Sequence, residues 1–487
     1  MFTGRWYIRR VSRALTALAL VLVTSASLAA SAGAGGPLRT AVVEPYDYKL
    51  GDAPLLFSRI HGAGASMSRV SLSWYSIAPK EPPAQFDAAN PFDPAYDWAK
   101  MDATIQAALA QGIEPYLIVD DAPVWARLDD QKGGSPPNAA DLGTFMRAAA
   151  DRYSGRYAGL PRIRYWQVWI EPNVNKFFRH QYEDGKLLAP KRYAAMVNAV
   201  ADAVHSVRPD NKVIAGGFSP FTVTRGDTHT ITPMTFMEDM LCMRPNGKPR
   251  SSCPRRVRFD IWSHHPFTSG DPSHHALHKG DISLGDLPVM KKMLLAAYRY
   301  KHAVSSSTPQ FWVTEFSWDT NPPDPQALPM KLAARWTSEA LYVMWKVGIS
   351  LVTWLDIRDN PYPQSATQSG LYLRGATVEQ DKPKLILNSF RFPFVAYTRK
   401  NRIFVWGRTP WGKPGRVVVT QSTSGRWKQR AFLTANANGI FSGTIRGAPT
   451  GVLRAQLAGG KNPAGRSLSF SLKRPPDRLI PIFGSGG

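Results

Sequence analysis

Apolar residues recur along this chain in two rhythms. Between residues 40 and 358, short unbroken apolar runs alternate with longer stretches where apolar positions return every three or four residues. The short runs read as buried strands at 40–43, 68–72, 113–119, 163–170, 212–216, 259–263, 310–314 and 350–355. The longer stretches, at 98–110, 139–153, 191–207, 287–302 and 328–345, read as amphipathic helices, and Asp97 and Asp141 supply start signals for two of them. Eight strands with helices between them predict an α/β fold, a (β/α)8 TIM barrel over residues 38–396. An open doubly wound sheet would want a glycine-rich first turn, and Gly62-Ala63-Gly64-Ala65 ends a helix instead.

Near Lys382 the rhythm changes to short alternating runs at 402–406, 416–421, 428–433, 439–445, 451–457 and 467–472, separated by Gly- and Pro-containing turns. This spacing predicts a small C-terminal all-β sandwich domain over 397–474, followed by a tail at 475–487. The N-terminus belongs to neither domain. Arg5, Arg9, Arg10 and Arg13 precede or open an apolar, small-residue stretch that ends in Ala30-Ser31-Ala32, the pattern of a secretory signal peptide over residues 1–32. The expectation is a secreted or cell-surface protein, with no transmembrane segment after cleavage. Cys242 and Cys253 suit an oxidising compartment, and a disulfide between them would pin a loop rich in Pro, Gly and Arg.

The net charge is +24, or about +20 once the four arginines of the signal peptide are removed. Such a balance favours association with anionic cell-envelope polymers. Nucleic acid is not expected as a partner, because Lys and Arg are dispersed and form no basic helix or recognition motif. No Cys/His spacing indicates a metal site.

The chemistry concentrates at strand ends. Trp166-Gln167-Val168-Trp169-Ile170-Glu171-Pro172-Asn173 is an apolar strand closed by a carboxylate, and Phe311-Trp312-Val313-Thr314-Glu315-Phe316 repeats the design. Proline after Glu171 predicts an extended conformation for the glutamate. In a TIM barrel the site lies at the carboxyl ends of the strands, so these two glutamates would face one another across the mouth. One protonated and one ionised carboxyl are what cleavage of a glycosidic bond requires. The reading is therefore Glu171 as acid/base and Glu315 as nucleophile, with Arg69 keeping Glu315 ionised. Other strand-end candidates for holding substrate are Trp74, Asp121, Trp125, Asn173, His265, Trp318 and Trp354, the four tryptophans as platforms for sugar rings.

Trp169-Ile170-Glu171-Pro172-Asn173 and Trp312-Val313-Thr314-Glu315-Phe316-Ser317-Trp318 resemble the acid/base and nucleophile motifs of clan A retaining glycoside hydrolases, most closely family 39 and related secreted bacterial enzymes of the family 5 type. Ser68-Arg69-Val70, Ala122-Pro123-Val124-Trp125-Ala126 and Trp354 add to the likeness, which spans about residues 40–394. The resemblance implies a polysaccharide or oligosaccharide substrate, a covalent glycosyl-enzyme intermediate and no cofactor. One position departs from the pattern. The clan places Asn, which holds the sugar's 2-hydroxyl, where this chain has Ile170. Three alternatives follow: the substrate lacks or differently presents that hydroxyl, another residue such as Asn173 or His265 supplies the contact, or the chain is a non-catalytic cell-surface glycan-binding protein. The clan's tyrosine after the sixth strand is also replaced, by Phe267, with His265 as its candidate substitute.

Overall fold

The structure is a computed structural model that describes residues 36–44, 48–129, 134–222, 230–365, 367–459, 463–476 and 478–480. The signal peptide expected at residues 1–32 lies outside the described residues.

Eight strands close into a barrel: β1 (Arg39–Val43), β2 (Met67–Ser73), β3 (Glu114–Asp120), β4 (Tyr165–Val168), β5 (Lys212–Phe218), β6 (Ile261–His264), β7 (Gln310–Phe316) and β8 (Leu351–Trp354). They pair in the order β1-β8-β7-β6-β5-β4-β3-β2, every pair parallel. Besides a single turn at Trp74–Ile77, the α-helices described in this region are α1 (Ala53–Gly62), α2 (Ala99–Ala110), α3 (Ala139–Arg152), α4 (Ala189–Val207), α5 (Pro233–Met240), α6 (Leu287–Arg299), α7 (Met330–Val347) and α8 (Leu385–Arg391). The fold is the TIM barrel that the two rhythms predict.

Strand alternation sorts the apolar residues into two layers. Ala41, Met67, Tyr116, Ile214, Ile261, Trp312 and Leu351 form one buried cluster, drawn from seven of the eight strands, which fills the barrel. The remaining strand residues pack outward on the helices in a much larger core. That core continues into the C-terminal strands β9 (Phe394–Arg399), β10 (Arg402–Arg408), β11 (Gly415–Ser422), β12 (Trp427–Ala435), β13 (Ile440–Ile445), β14 (Val452–Leu457) and β15 (Phe470–Ser471). These make a three-stranded sheet, β9-β10-β13, and a four-stranded one, β12-β11-β14-β15, antiparallel throughout. This is the expected all-β sandwich. Tyr342 and Trp345 of α7 pack against Trp406 of β10 at 5.3 and 5.4 Å between ring centroids. Residues 35–487 accordingly form one compact unit.

The Cys242–Cys253 disulfide is formed, closing the loop that follows α5. No helix among the described residues is long and apolar enough to cross a membrane.

Two strand ends differ from expectation. β4 stops at Val168, two residues early, and Glu171 is not extended. Its φ is +37° and that of Trp169 is +61°. Proline at 172 bars the right-handed helical region but leaves the left-handed one open, and local hydrogen bonds select it. Glu171 N–H donates to Gly217 O at 3.0 Å, and Trp169 N–H to Val119 O at 3.1 Å. β7 runs on to Phe316, with a register shift against β8 between Val313 and Phe316, so Glu315 lies within the strand.

Candidate active site

Glu171 follows β4 and Glu315 is the last residue but one of β7, and His265, just past β6, stands between them. His265 Nδ1 lies 3.0 Å from Glu171 Oε1 and 3.6 Å from Glu315 Oε2, while its Nε2 is 3.1 Å from Thr314 Oγ1. One oxygen of each glutamate and the histidine nitrogen all lie within 4.8 Å of one another. From β2, Arg69 donates to Glu315 Oε1 at 2.5 Å and to Thr314 O at 3.2 Å. Arg69 is buried, so the charge it places beside Glu315 is little screened.

The environments of the two glutamates pull in opposite directions. Burial raises the pKa of Glu171, and the negative Glu315 adds to that, against the opposing influence of His265 and Arg69. Burial raises Glu315 as well, but His265 and the Arg69 guanidinium outweigh it, so its carboxyl is held below the ordinary value. The split sets the acidities of the two neighbouring carboxyls apart. The glutamates and His265 could also offer ligands to a cation. One Glu315 oxygen is already committed to Arg69, whose positive charge opposes a second cation on the same carboxylate.

The glutamates open onto a cavity of about 1130 Å³. Further acidic groups line it at the ends of β1, β3 and β8. Glu44 follows β1, accepts from the Tyr48 hydroxyl and, at 3.2 Å, from Ser71 N–H, and burial pushes its pKa up to about 7. Asp120 ends β3, accepts from Ser71 Oγ at 2.9 Å, and burial raises it to about 6. Asp356, after β8, is raised to about 7 by burial, with Asp359 and Glu315 adding negative charge nearby. Glu44 was legible by the same rule as Glu171, being the first carboxylate after an apolar strand.

The remaining candidates divide. Asp121 lines the cavity, with its side chain 3.2 Å from Arg127 at the rim, and Ile170 lines it beside Glu171. Asn173 does not reach it. The residue is fully buried, with Nδ2 donating to Ser219 O and Ile231 O and Oδ1 accepting from Ser219 N–H, so it cannot replace the Asn that Ile170 displaces. The four tryptophans are not cavity walls either. Trp74 stacks on Phe145 at 5.0 Å, and Trp125 packs edge-on against Trp74 with its Nε1 given to Pro79 O. Trp318 lies between Phe316 and Trp336, and Trp354 Nε1 donates to Ser369 O at 2.7 Å. Each points into the layer between strands and helices, where burial of a large ring is most favourable. The described aromatic residues that line the cavity are Tyr48, Trp169 and Phe177.

The eight-stranded parallel barrel is shared with solved structures that include glycoside hydrolases. The chain is similar to a family 39 glycoside hydrolase from the gut symbiont Bacteroides cellulosilyticus, with a TM-score of 0.53 and 16% identity over 85% of this chain and 81% of that one. It is also similar to a glucosidase from Croceicoccus marinus, with a TM-score of 0.49 and 13% identity over 85% and 97% of the two chains. At such identity the first likeness establishes the fold. No protein-family profile and no curated protein matches the sequence.

Proposed function

We propose that the protein is a secreted retaining glycoside hydrolase that cleaves an O-glycosidic bond in a polysaccharide or oligosaccharide. The observation that carries this reading is the close approach of the buried Glu315 and the half-buried Glu171, with oxygens within 4.8 Å, and their oppositely shifted acidities. A carboxyl separation of about 5 Å suits double displacement, whereas inversion needs room for a water between the groups. Glu315 attacks the anomeric carbon while Glu171 gives its proton to the departing glycosidic oxygen. A covalent ester to Glu315 results. Glu171, now ionised, takes a proton from water, which attacks the same carbon and releases Glu315.

Ile170 makes the pocket apolar where the clan's Asn would bind a 2-hydroxyl, and Asn173 is spent on backbone. The sugar that fits lacks that hydroxyl or presents it elsewhere. The signal-like residues 1–32 and the disulfide fit an exported enzyme.

The test is Glu315→Gln and Glu171→Gln, each assayed on bacterial envelope glycan fragments that the parent protein cuts. Turnover should fall by at least about a thousandfold in both while the protein stays folded, since general acid–base and nucleophilic catalysis are lost. An activated 2-deoxy-2-fluoro glycoside of the accepted sugar should esterify Glu315. Undiminished turnover in either variant would refute the assignment. Binding of glycan with no cleavage and no ester would instead indicate a non-catalytic binder.

A further inference from the structure

Lys and Arg are spread along the chain, but the charge balance is not. Residues 397–474 hold ten arginines and five lysines and no Asp or Glu, which places +15 of the total +24 in the sandwich. Some of this charge is internal, as with the buried Arg408. Three of the rest, Arg416, Arg454 and Arg466, gather on the four-stranded sheet. The three-stranded sheet of the sandwich packs on α7, through Tyr397, Phe404 and Trp406 against Tyr342, leaving the four-stranded sheet on the other side of the sandwich.

Alternation in β11 turns Val417 and Val419 inward and Arg416, Val418 and Thr420 outward. The register carries that outer face across the sheet. Val418 pairs with Phe432, and Thr420 pairs with Arg454 on the other neighbour. Arg416 lies over the Phe432 ring at 4.9 Å, and Arg454 over the Trp427 ring at 3.8 Å. Arg466, bridged to Gln456 at the sheet's edge, lies near enough to Arg454 to oppose its charge. A sheet that gathers guanidiniums with no carboxylate of its own domain has a repulsive surface, and an anion relieves it.

We propose that this outer sheet face, built on Arg416, Trp427, Phe432, Arg454 and Arg466, is a binding surface for an acidic polysaccharide. A guanidinium lying flat on a ring is held in orientation while its N–H edge stays free for a carboxylate or ester oxygen. The same stacking argues against single-stranded nucleic acid, which needs open ring faces for its bases, and the sheet offers no helix for a duplex groove. The choice of a glycan partner rests on the glycosidase reading of the barrel, because a surface on the same compact unit would keep the cleft near polymer.

The experiment measures binding of the full chain to polygalacturonate, to a neutral glucan, to duplex DNA and to phosphatidylglycerol vesicles. Arg416→Glu with Arg454→Glu should weaken polygalacturonate binding at least tenfold. Arg299→Glu with Lys301→Glu, on the barrel, makes the same change in net charge and should leave binding within twofold. The milder Arg454→Gln should give a partial loss with an unchanged melting temperature. Equal losses from the two double variants, or tighter binding to DNA, vesicles or neutral glucan than to polygalacturonate, would overturn the proposal. Glu315→Gln should bind like the parent, and hydrolysis of small glycosides should be unaffected by the sheet variants. Failure of the surface is thereby distinguished from failure of the glycosidase reading.

Discussion

His265 touches both glutamates and so ties their titrations together. In the proposed double displacement Glu315 acts ionised. Its depressed pKa keeps activity present at acidic pH, to be lost only as pH falls through that lowered value. In the same proposed step Glu171 acts protonated. Its raised pKa extends activity upward, to be lost as pH rises through the raised value. The profile of kcat/KM against pH should therefore be a broad bell whose limbs belong to the coupled pair. His265 lowers both pKa values, so His265→Ala should move both limbs to higher pH. A fall in kcat of about a hundredfold should accompany this, as orientation of the acid is lost. Limbs that stay in place while activity falls would reduce His265 to a packing residue. His264, its neighbour, is a contrast. Burial lowers its pKa to about 3 and its Nε2 serves Ile282 O, so it stays neutral and structural.

At the scale of elements, what distinguishes the barrel mouth is the left-handed backbone at successive strand ends. Asp121, Trp169, Glu171, Gly216 and Gly217 all have positive φ. Gly216 has no alternative, because at φ +98° a Cβ would come within 2.2 Å of Ser263 O on the adjacent β6. Gly216→Ala should cost about 2–4 kcal/mol in urea unfolding, through strain and displaced backbone. A loss below about 1 kcal/mol would mean that β5 and β6 separate readily there. The strands themselves were legible, because continuous apolar runs spaced by amphipathic ones admit few arrangements. Glu171 and Glu315 were legible because a charge that closes an apolar run has few places to go but the mouth, whereas Arg69, inside β2, was marked by its resemblance to a family motif. The tryptophans were not. Whether Trp74 or Trp354 faces the mouth or the helices depends on a one-residue parity at the strand end. The turn at Trp169 and the shift between Val313 and Phe316 show that parity failing where the site is built. The left-handed Glu171 was hidden for a related reason: proline excludes one region of backbone space without choosing between the other two.

At the largest scale, barrel and sandwich behave as one body because the sandwich shares the barrel's core. Val405, Trp406, Val417 and Leu453 belong to the same buried cluster as the outward residues of the barrel strands. Trp406 is the joint, fully buried and flanked by Tyr342 and Trp345 of α7, the helix that links β7 to β8. Arg335 of α7 strengthens the same seam, stacking on Phe470 at 4.0 Å and donating to Ser471 O at 2.8 Å. A lost contact at Trp406 therefore exposes apolar surface on both partners at once, and neither sheet nor barrel can close over it alone. Trp406→Ala should cost about 3–5 kcal/mol, the usual penalty for removing a large buried ring. Calorimetry of the parent should give one transition, and the variant should also melt in one, at lower temperature. Because α7 runs between the strand that carries Glu315 and the strand that precedes Asp356, the catalytic activity of the variant should be lost at that same lowered temperature. Two separated transitions, with the barrel melting and losing activity where the parent does, would show instead that the sandwich is an appendage that folds without regard to the enzyme.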